Sequence, residues 1–461
     1  MPSDPLTSPS RRGSLKLRHA LPAAIPLAAA LAALFAAPPA QAVPSYAEQT
    51  GQPCQACHVG GFGPQLTPFG REFKLGGYTL RTKPFNVPLA AMAIGSFTHT
   101  RKDQVPPPDH FKANDNFAFD QGSVFLAGGV GQHFGGFVQI TYDGVGRAWS
   151  WDNVDLRAVT QGKVFGKDAV FGITLNNSPT TQDVWNTTPA WGFPYTDTAV
   201  SGTPGAAALI DGGLAQNTLG VSAYSWIDRT FYLEGGAYTS PGAGTLRWLG
   251  ADPADPGDIN GLAPYGRMAY QKDIGGGTLE AGAFALRAAL NPGRDRSTGR
   301  TDHYSDVGLD LSWLKPTAKG DTFTVDLRYV HEKASLRASC LLAALPSDCA
   351  DTTLNEWRGS VGYSWRNKIG VTLSPFATSG SANGFRYGGR NLSPNSNGML
   401  AELDYSPWGD GTSPLGPRFN VHLGAQATVY GKFDGARHNY DGAGANAADN
   451  DALRLFTWVA F

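Results

Sequence analysis

After its first 42 residues the chain has no apolar run approaching the ~20 residues of a membrane-spanning helix, so crossing a bilayer by helices is excluded. It is also poor in charge, with 16% charged residues and a formal net charge of −1. Without residues 1–42 it keeps 33 basic and 37 acidic side chains, a net of −4, which argues against nucleic acid as a partner. Methionine is scarce: four residues, against 58 glycines, 11 tryptophans, 16 tyrosines and 24 phenylalanines. That balance suits strands, turns and aromatic girdles better than a helical bundle. The cysteines number four and fall in two pairs, Cys54/Cys57 and Cys340/Cys349.

What the chain does have is period-2 alternation from residue 89 onward. It is cleanest at Phe419, Val421, Leu423, Ala425, Ala427 and Val429, between which sit Asn420, His422, Gly424, Gln426, Thr428 and Tyr430. Phe323, Val325, Leu327 and Tyr329 alternate with Thr322, Thr324, Asp326 and Arg328 in the same way, as do Trp357, Val361, Tyr363 and Trp365 with Arg358, Ser360 and Ser364. One apolar and one polar face is what a strand between lipid and an aqueous lumen demands.

About sixteen such strands can be read, from 89–100, 116–130 and 134–143 through to 417–430 and 452–461. Tight turns at Gly166-Lys167, Asp228 and Arg366-Asn367 alternate with long loops at 176–216, 240–263, 332–353 and 431–451. The expected fold is therefore all-β: an antiparallel outer-membrane β-barrel over residues 89–461, with short periplasmic turns and long external loops. An even strand count puts the N- and C-termini on the periplasmic side. The last residues, Leu453 to Phe461, alternate and end on an aromatic side chain, and they resemble the C-terminal strand that outer-membrane assembly machinery recognises. Cys340 and Cys349 share the 332–353 loop, placed outside the cell, where a disulfide is expected.

Ahead of the barrel, Cys54-Gln55-Ala56-Cys57-His58 sets two thiols and an imidazole at the spacing that covalent attachment of a c-type haem requires. A thioredoxin-like site would need a βαβ unit around it, and a structural zinc site would need a second ligand pair nearby; the sequence offers neither. Arg11, Arg12, Lys16 and Arg18, the apolar run Leu21 to Ala37 and Ala40-Gln41-Ala42 mark residues 1–42 as an export signal. Ser10 to Lys16 looks somewhat like a twin-arginine signal, but that route carries folded cargo. Thioether formation needs an unfolded chain outside the cytoplasm, so the general secretory route is expected.

Residues 43–88 are too few for an independent cytochrome core and must borrow walls from the barrel as a plug. Thr67-Pro68 reads as a helix N-cap and first helical position, and Gly76-Gly77 as the stop. On that helix Phe69 and Phe73 share a face, expected against the porphyrin or barrel wall. Arg71 and Lys74 lie on another face, either pairing with haem propionates or simply solvated. No His or Met lies between His58 and Met92, so a sixth ligand would come from the barrel. On the first strand Ala91, Ala93, Gly95, Phe97 and His99 share one face. Its small residues leave room for a plug and turn His99 inward as the candidate, with Met92 toward lipid. His133 and His422 are the rivals.

Pro44 to Ala47, Gln49 to Gly51, Cys54 to His58 and Leu66 to Leu75, ending Gly76-Gly77-Tyr78, resemble the start of the fused monohaem cytochrome–porins, outer-membrane iron oxidases of iron-oxidising bacteria. The specific likeness lies within residues 44–80; the barrel match is generic. It implies one haem c held by Cys54 and Cys57 with His58 as axial ligand, extracellular Fe(II) as electron donor and a periplasmic c-type cytochrome or other soluble carrier as acceptor. The alternatives are a solute channel whose haem plug is structural or regulatory, and a peroxidase-like enzyme, which needs distal acid and base groups that no segment advertises.

Overall fold

The computed structural model describes residues 44–82, 88–345, 351–411, 413–416 and 419–461. The expected export signal, residues 1–42, and Cys349 lie outside the described residues. No helix among the described residues is long and apolar enough to cross a membrane.

Sixteen long strands follow one another: β1 Leu89–Thr100, β2 Asn116–Val130, β3 Phe134–Asp143, β4 Ala148–Val164, β5 Lys167–Asn176, β6 Leu219–Ile227, β7 Phe231–Thr239, β8 Ala263–Ile274, β9 Gly277–Asn291, β10 Asp302–Pro316, β11 Thr322–Ser335, β12 Asp351–Trp365, β13 Ile369–Gly380, β14 Ser396–Tyr405, β15 Asn420–Lys432 and β16 Ala452–Ala460. Each is antiparallel to the next, and a two-residue segment, Asp258–Ile259, extends the sheet beside the end of β9. β16 pairs back onto β1, with Ile94 opposite Trp458, so the sheet closes. Beyond the last paired residues, Ala91 N–H donates to the Phe461 carbonyl at 2.6 Å and Phe461 N–H donates to the Ala91 carbonyl at 2.9 Å. Closure leaves no sheet edge, the condition for placing strands in lipid.

The alternation sorts the two faces as the sequence predicts. Leu309, Leu327, Trp357, Val361, Leu403, Val429 and Leu455 stand exposed on the outside, while Asp310, Asp326, Arg328, Ser360, Glu402, Gln426 and Arg454 are buried inside. Several turns at one rim are tight hairpins with two successive residues at positive φ: the two-residue loops Phe165-Gly166 and Gly275-Gly276, and the three-residue loops 228–230 and 366–368, led by Asp228-Arg229 and Arg366-Asn367. That geometry matches strand twist. The longer connections, 177–218, 240–262, 381–395 and 433–451 among them, lie at the other rim.

One long loop departs from expectation. Instead of standing outside, the connection 177–218 turns into the lumen, and residues 177–188 are all buried. Ala208, Leu209 and Ile210 donate their N–H groups to Glu356, Glu332 and Asp306 at 2.6–2.7 Å. Trp185 stacks on Trp226 with ring centroids 5.9 Å apart, and Asp183 faces Arg267 at 3.5 Å. This strap meets many of its polar groups with lumen side chains, which is how a Gly/Pro/Asn-rich segment can lie buried, although the Thr181 and Thr188 hydroxyls are left without a partner. Cys340, in the loop after β11, is buried and disulfide-bonded.

Deleting Phe461 removes both hydrogen bonds that extend the β1–β16 seam, each worth about 1 kcal/mol net. The truncated chain is expected to give less heat-modifiable barrel on gels and a lower urea midpoint; wild-type yield and midpoint would show that this end of the seam is dispensable.

Candidate functional site

The segment before the barrel folds as three short helices, α1 Pro44–Thr50, α2 Cys54–Cys57 and α3 Pro68–Leu75. Thr67 caps α3, its hydroxyl accepting from Gly70 N–H at 3.2 Å, with Pro68 at the first position. At the other end Tyr78 N–H reaches the Phe73 carbonyl at 3.0 Å and Gly77 N–H the Lys74 carbonyl at 3.1 Å, with Gly77 at φ 67°. That is a Schellman stop at the predicted Gly-Gly pair. Gly70 is required for a different reason: a Cβ there would stand 2.3 Å from the Cys57 carbonyl oxygen, so only glycine lets α3 cross the cysteine helix this closely.

The plug sits at the short-turn rim. Gly60 N–H donates to Asn367 Oδ1 in the β12–β13 turn at 3.2 Å, Asn420 Nδ2 donates to the Gly61 carbonyl at 3.0 Å, and Arg81 Nη2 donates to the Gly129 carbonyl at 2.6 Å. Gln49 donates to the Tyr78 and Leu80 carbonyls and accepts from Gly129 N–H at 2.7 Å. From above, the strap meets it: Leu66 N–H donates to Asn186 Oδ1 at 2.9 Å and Asn186 Nδ2 to the Pro64 carbonyl at 3.1 Å.

Between plug, strap and barrel wall lies a cavity of about 350 Å³, within the range usual for cofactor sites. Cys54, Cys57 and His58 form part of its wall, opened toward aromatic side chains from every side: Phe73 and Tyr78 of the plug, Phe125 and Phe137 of β2 and β3, Trp191 of the strap and Trp458 of β16. Both thiols are free. Burial pushes the Cys57 thiol up to about 12, with Cys54 adding to the shift. Burial likewise pulls the His58 imidazole down to about 4, opposed by the Gln65 backbone.

The α3 side chains divide differently from the sequence reading. Phe73 packs as expected, edge-on to Tyr46 at 5.1 Å, and Tyr46 stacks on Tyr78 at 5.1 Å. Phe69 does not: it is 36% exposed and forms no part of the cavity wall, because the first turn of α3 lies at the margin of the plug. Arg71 and Lys74 are not solvated; both are buried. Lys74 lines the cavity, donates to the Thr181 carbonyl at 2.7 Å, stands 3.7 Å from Asp155 and lies over the Trp191 ring. Burial pulls its ammonium down to about 8 against the pull of Asp155. Arg71 does not line the cavity. It is buried on the side where Asp326, Glu280 and Asp183 supply negative charge.

The largest correction concerns β1. His99 does not point inward: its side chain is half exposed and bonded to Asp115 Oδ1 at 2.8 Å, near the long-loop end of the strand. Even-numbered residues face the lumen instead, with Ile94, Ser96, Thr98 and Thr100 buried, and Met92 lines the cavity rather than meeting lipid. Trp458 Nε1 donates to the Met92 sulfur at 3.2 Å. The polar triplet Ser96, Thr98 and Thr100 marks the lumen face and was the signal that the small residues outweighed in the sequence reading. His133 is exposed and bonded to the Val159 carbonyl at 3.0 Å. His422 does face the lumen, stacked on Phe62 at 5.1 Å, but in a separate cleft of about 60 Å³.

Gly70→Ala is expected to destabilise the protein by about 1–3 kcal/mol, the usual cost of forcing atoms into a packed contact. Gly205→Ala, where a Cβ meets nothing within 4 Å, is the matched control. Equal thermal midpoints for the two variants would mean that the α2–α3 crossing yields easily.

No protein-family model matches the chain, and none of the curated proteins compared with it matches. Among solved structures it is similar to the anion-selective porin from Comamonas acidovorans (TM-score 0.45, 11% identity, covering 81% of this chain and 98% of that one). It is also similar to the outer membrane channel DcaP of Acinetobacter baumannii (TM-score 0.44, 12% identity, 81% and 96% covered) and to OmpT of Vibrio cholerae (TM-score 0.41, 12% identity, 81% and 95% covered). The chain itself is a closed, porin-like barrel of sixteen antiparallel strands.

Proposed function

We propose that this protein is an outer-membrane iron(II) oxidoreductase that takes electrons from extracellular Fe(II) through one covalent c-type haem and passes them to a periplasmic carrier such as a soluble c-type cytochrome. The observation that carries this reading is the placement of Cys54, Cys57 and His58 together on the wall of an aromatic-lined cavity inside the barrel. The residues fit the group: two free thiols at thioether spacing, an adjacent imidazole, flat apolar walls and a buried cation in Lys74. When bound, the haem supplies one-electron transfer, the stoichiometry that Fe(II) needs.

The chain's own residues do the rest. Cys54 and Cys57 would tether the group, His58 would offer its iron a nitrogen, and Lys74 would set positive charge beside an anionic substituent. Phe73, Tyr46 and Tyr78 exclude water from one side and Trp191 from the other. The exposed apolar belt on the outer face supports placement in outer-membrane lipid. Such a barrel insulates electrically, so a redox centre within it is useful only where donor and acceptor can both approach.

A second reading, a solute channel, is favoured by the sixteen-stranded porin-like fold. Against it stand the strap and plug, which fill the lumen with buried residues at 177–188 and along α3.

Cys57→Ala is expected to abolish wild-type haem staining on denaturing gels. In sealed vesicles of known orientation, Fe(II) added on the long-loop side is expected to reduce the haem of the intact protein and then an enclosed soluble cytochrome. If Fe(II) leaves the haem oxidised for hours while a strong reductant acts at once, iron is not the donor. Large single-channel conductance from a haem-free chain would favour the channel.

A further inference from the structure

We infer that Met92 is the sixth ligand of the haem iron, opposite in role to His58, and that Trp458 positions its sulfur. The inference rests on the haem reading above and names a ligand that the reading leaves open.

The strand geometry comes first. Met92 sits in β1 between Ser123 of β2 and Ala460 of β16, paired on both sides, so its backbone is fixed in the closed sheet. Its side chain shares the lumen face with Ile94 and lines the same cavity as Cys54, Cys57 and His58. The closest polar contact on its sulfur is an N–H donor, Trp458 Nε1 at 3.2 Å, which fixes the thioether while leaving a lone pair for a soft metal centre. Trp458 is itself held edge-on to Phe62 at 5.1 Å, so the positioning group is packed as well.

The Tyr46 hydroxyl lines the cavity buried and without a hydrogen-bond partner, and is the hard-oxygen rival to the sulfur, while the neighbouring donors Lys74 and Tyr78 are committed. Lys74 is bonded to the Thr181 carbonyl and faces Asp155. The Tyr78 hydroxyl donates to Asp155 at 2.7 Å, and Tyr46 is stacked against Tyr78. No histidine besides His58 lines the cavity among the described residues. His99 lies seven residues beyond Met92, roughly 23 Å along an extended strand at ~3.3 Å per residue, on the opposite face. The chemistry agrees with the proposed task. Methionine opposite histidine raises the reduction potential of a c-type haem, and a hydrogen bond to the sulfur adjusts it further. An acceptor of electrons from Fe(II) needs a high potential.

The test is spectroscopic and uses full-length, haem-loaded protein in detergent. Ferric wild type is expected to be six-coordinate and low-spin, with the weak far-red charge-transfer band of methionine ligation. Met92→Leu, which keeps volume and removes the donor, is expected to lose that band, move toward high-spin and fall in midpoint potential. Met92→His is expected to return to low-spin without the band, and Trp458→Phe to keep the band with a shifted potential. His99→Ala should leave the spectrum unchanged. A band that survives in Met92→Leu, or a high-spin wild type, overturns the assignment while leaving covalent haem attachment intact. A wild-type chain without haem staining overturns the reading on which it rests.

Discussion

The Asp155 carboxylate is the interaction on which the arrangement of the lumen depends. It projects inward from β4, fully buried, and accepts from Arg157 Nε and Nη2 at 2.9–3.1 Å. Its remaining capacity goes to the plug: the Tyr78 hydroxyl at 2.7 Å and the Lys74 ammonium at 3.7 Å. Arg157 in turn donates to the Gln182 carbonyl of the strap at 2.8 Å. One barrel carboxylate thus joins plug, strap and wall. Two cations around one anion in a closed lumen are stable only while every partner is present, because losing one leaves an uncompensated buried charge, a loss of about 3–5 kcal/mol. Such a hub contributes less net stability than apolar packing of the same volume; what it fixes is position. It sets the register of α3, and therefore of the helix α2 that α3 crosses at Gly70.

That register decides how the cavity is walled. With Lys74 and Tyr78 drawn toward β4, Phe73 turns into the ring cluster with Tyr46, and the cysteine helix and the strap both wall the cavity. The strap is held from its own end by Glu356, Glu332 and Asp306, so neither partner can move without breaking charged contacts. A cavity built this way is preorganised: its shape is set by groups outside it.

The barrel was legible in the sequence because alternation, turn chemistry and strand length are local properties. The reading of β1, β2 and β3 reproduces their ends, and that of β16 comes within one residue. The caps of α3 at Thr67 and Gly76-Gly77 were legible for the same reason. What the sequence hid depends on tertiary contact. Which face of β1 is wet turned on two weak signals in conflict, small residues at 91, 93 and 95 against hydroxyls at 96, 98 and 100, and the pairing of Thr98 opposite Arg454 in the lumen decides it. Nothing local tells a long polar loop to fold inward, since the carboxylates that receive the strap come from β10, β11 and β12. Phe69 was misread because i, i+4 spacing gives a shared face but not where that face ends.

The position of the cavity along the barrel carries a consequence for direction of flow. Its plug residues contact the Asn367 turn and the end of β2, so it lies toward the short-turn rim, while the strap descends from the long-loop rim to meet it. With short turns facing the periplasm, as in outer-membrane barrels, the haem proposed for this cavity would lie toward the periplasmic side, with the strap between it and the long-loop rim. A soluble carrier docking at the short-turn rim would then come closer to the proposed haem than one at the long-loop rim. On the proposed function, electrons from an Fe(II) donor at the long-loop rim would have to pass the strap. A run of rings leading off the plug, Phe62 to His422 at 5.1 Å and His422 to Phe456 at 5.8 Å, follows β15 and β16 toward the long-loop rim. The same seam carries Met92 and Trp458, so closure of the barrel, support of the cavity and this run of rings fall on the same two strand pairings.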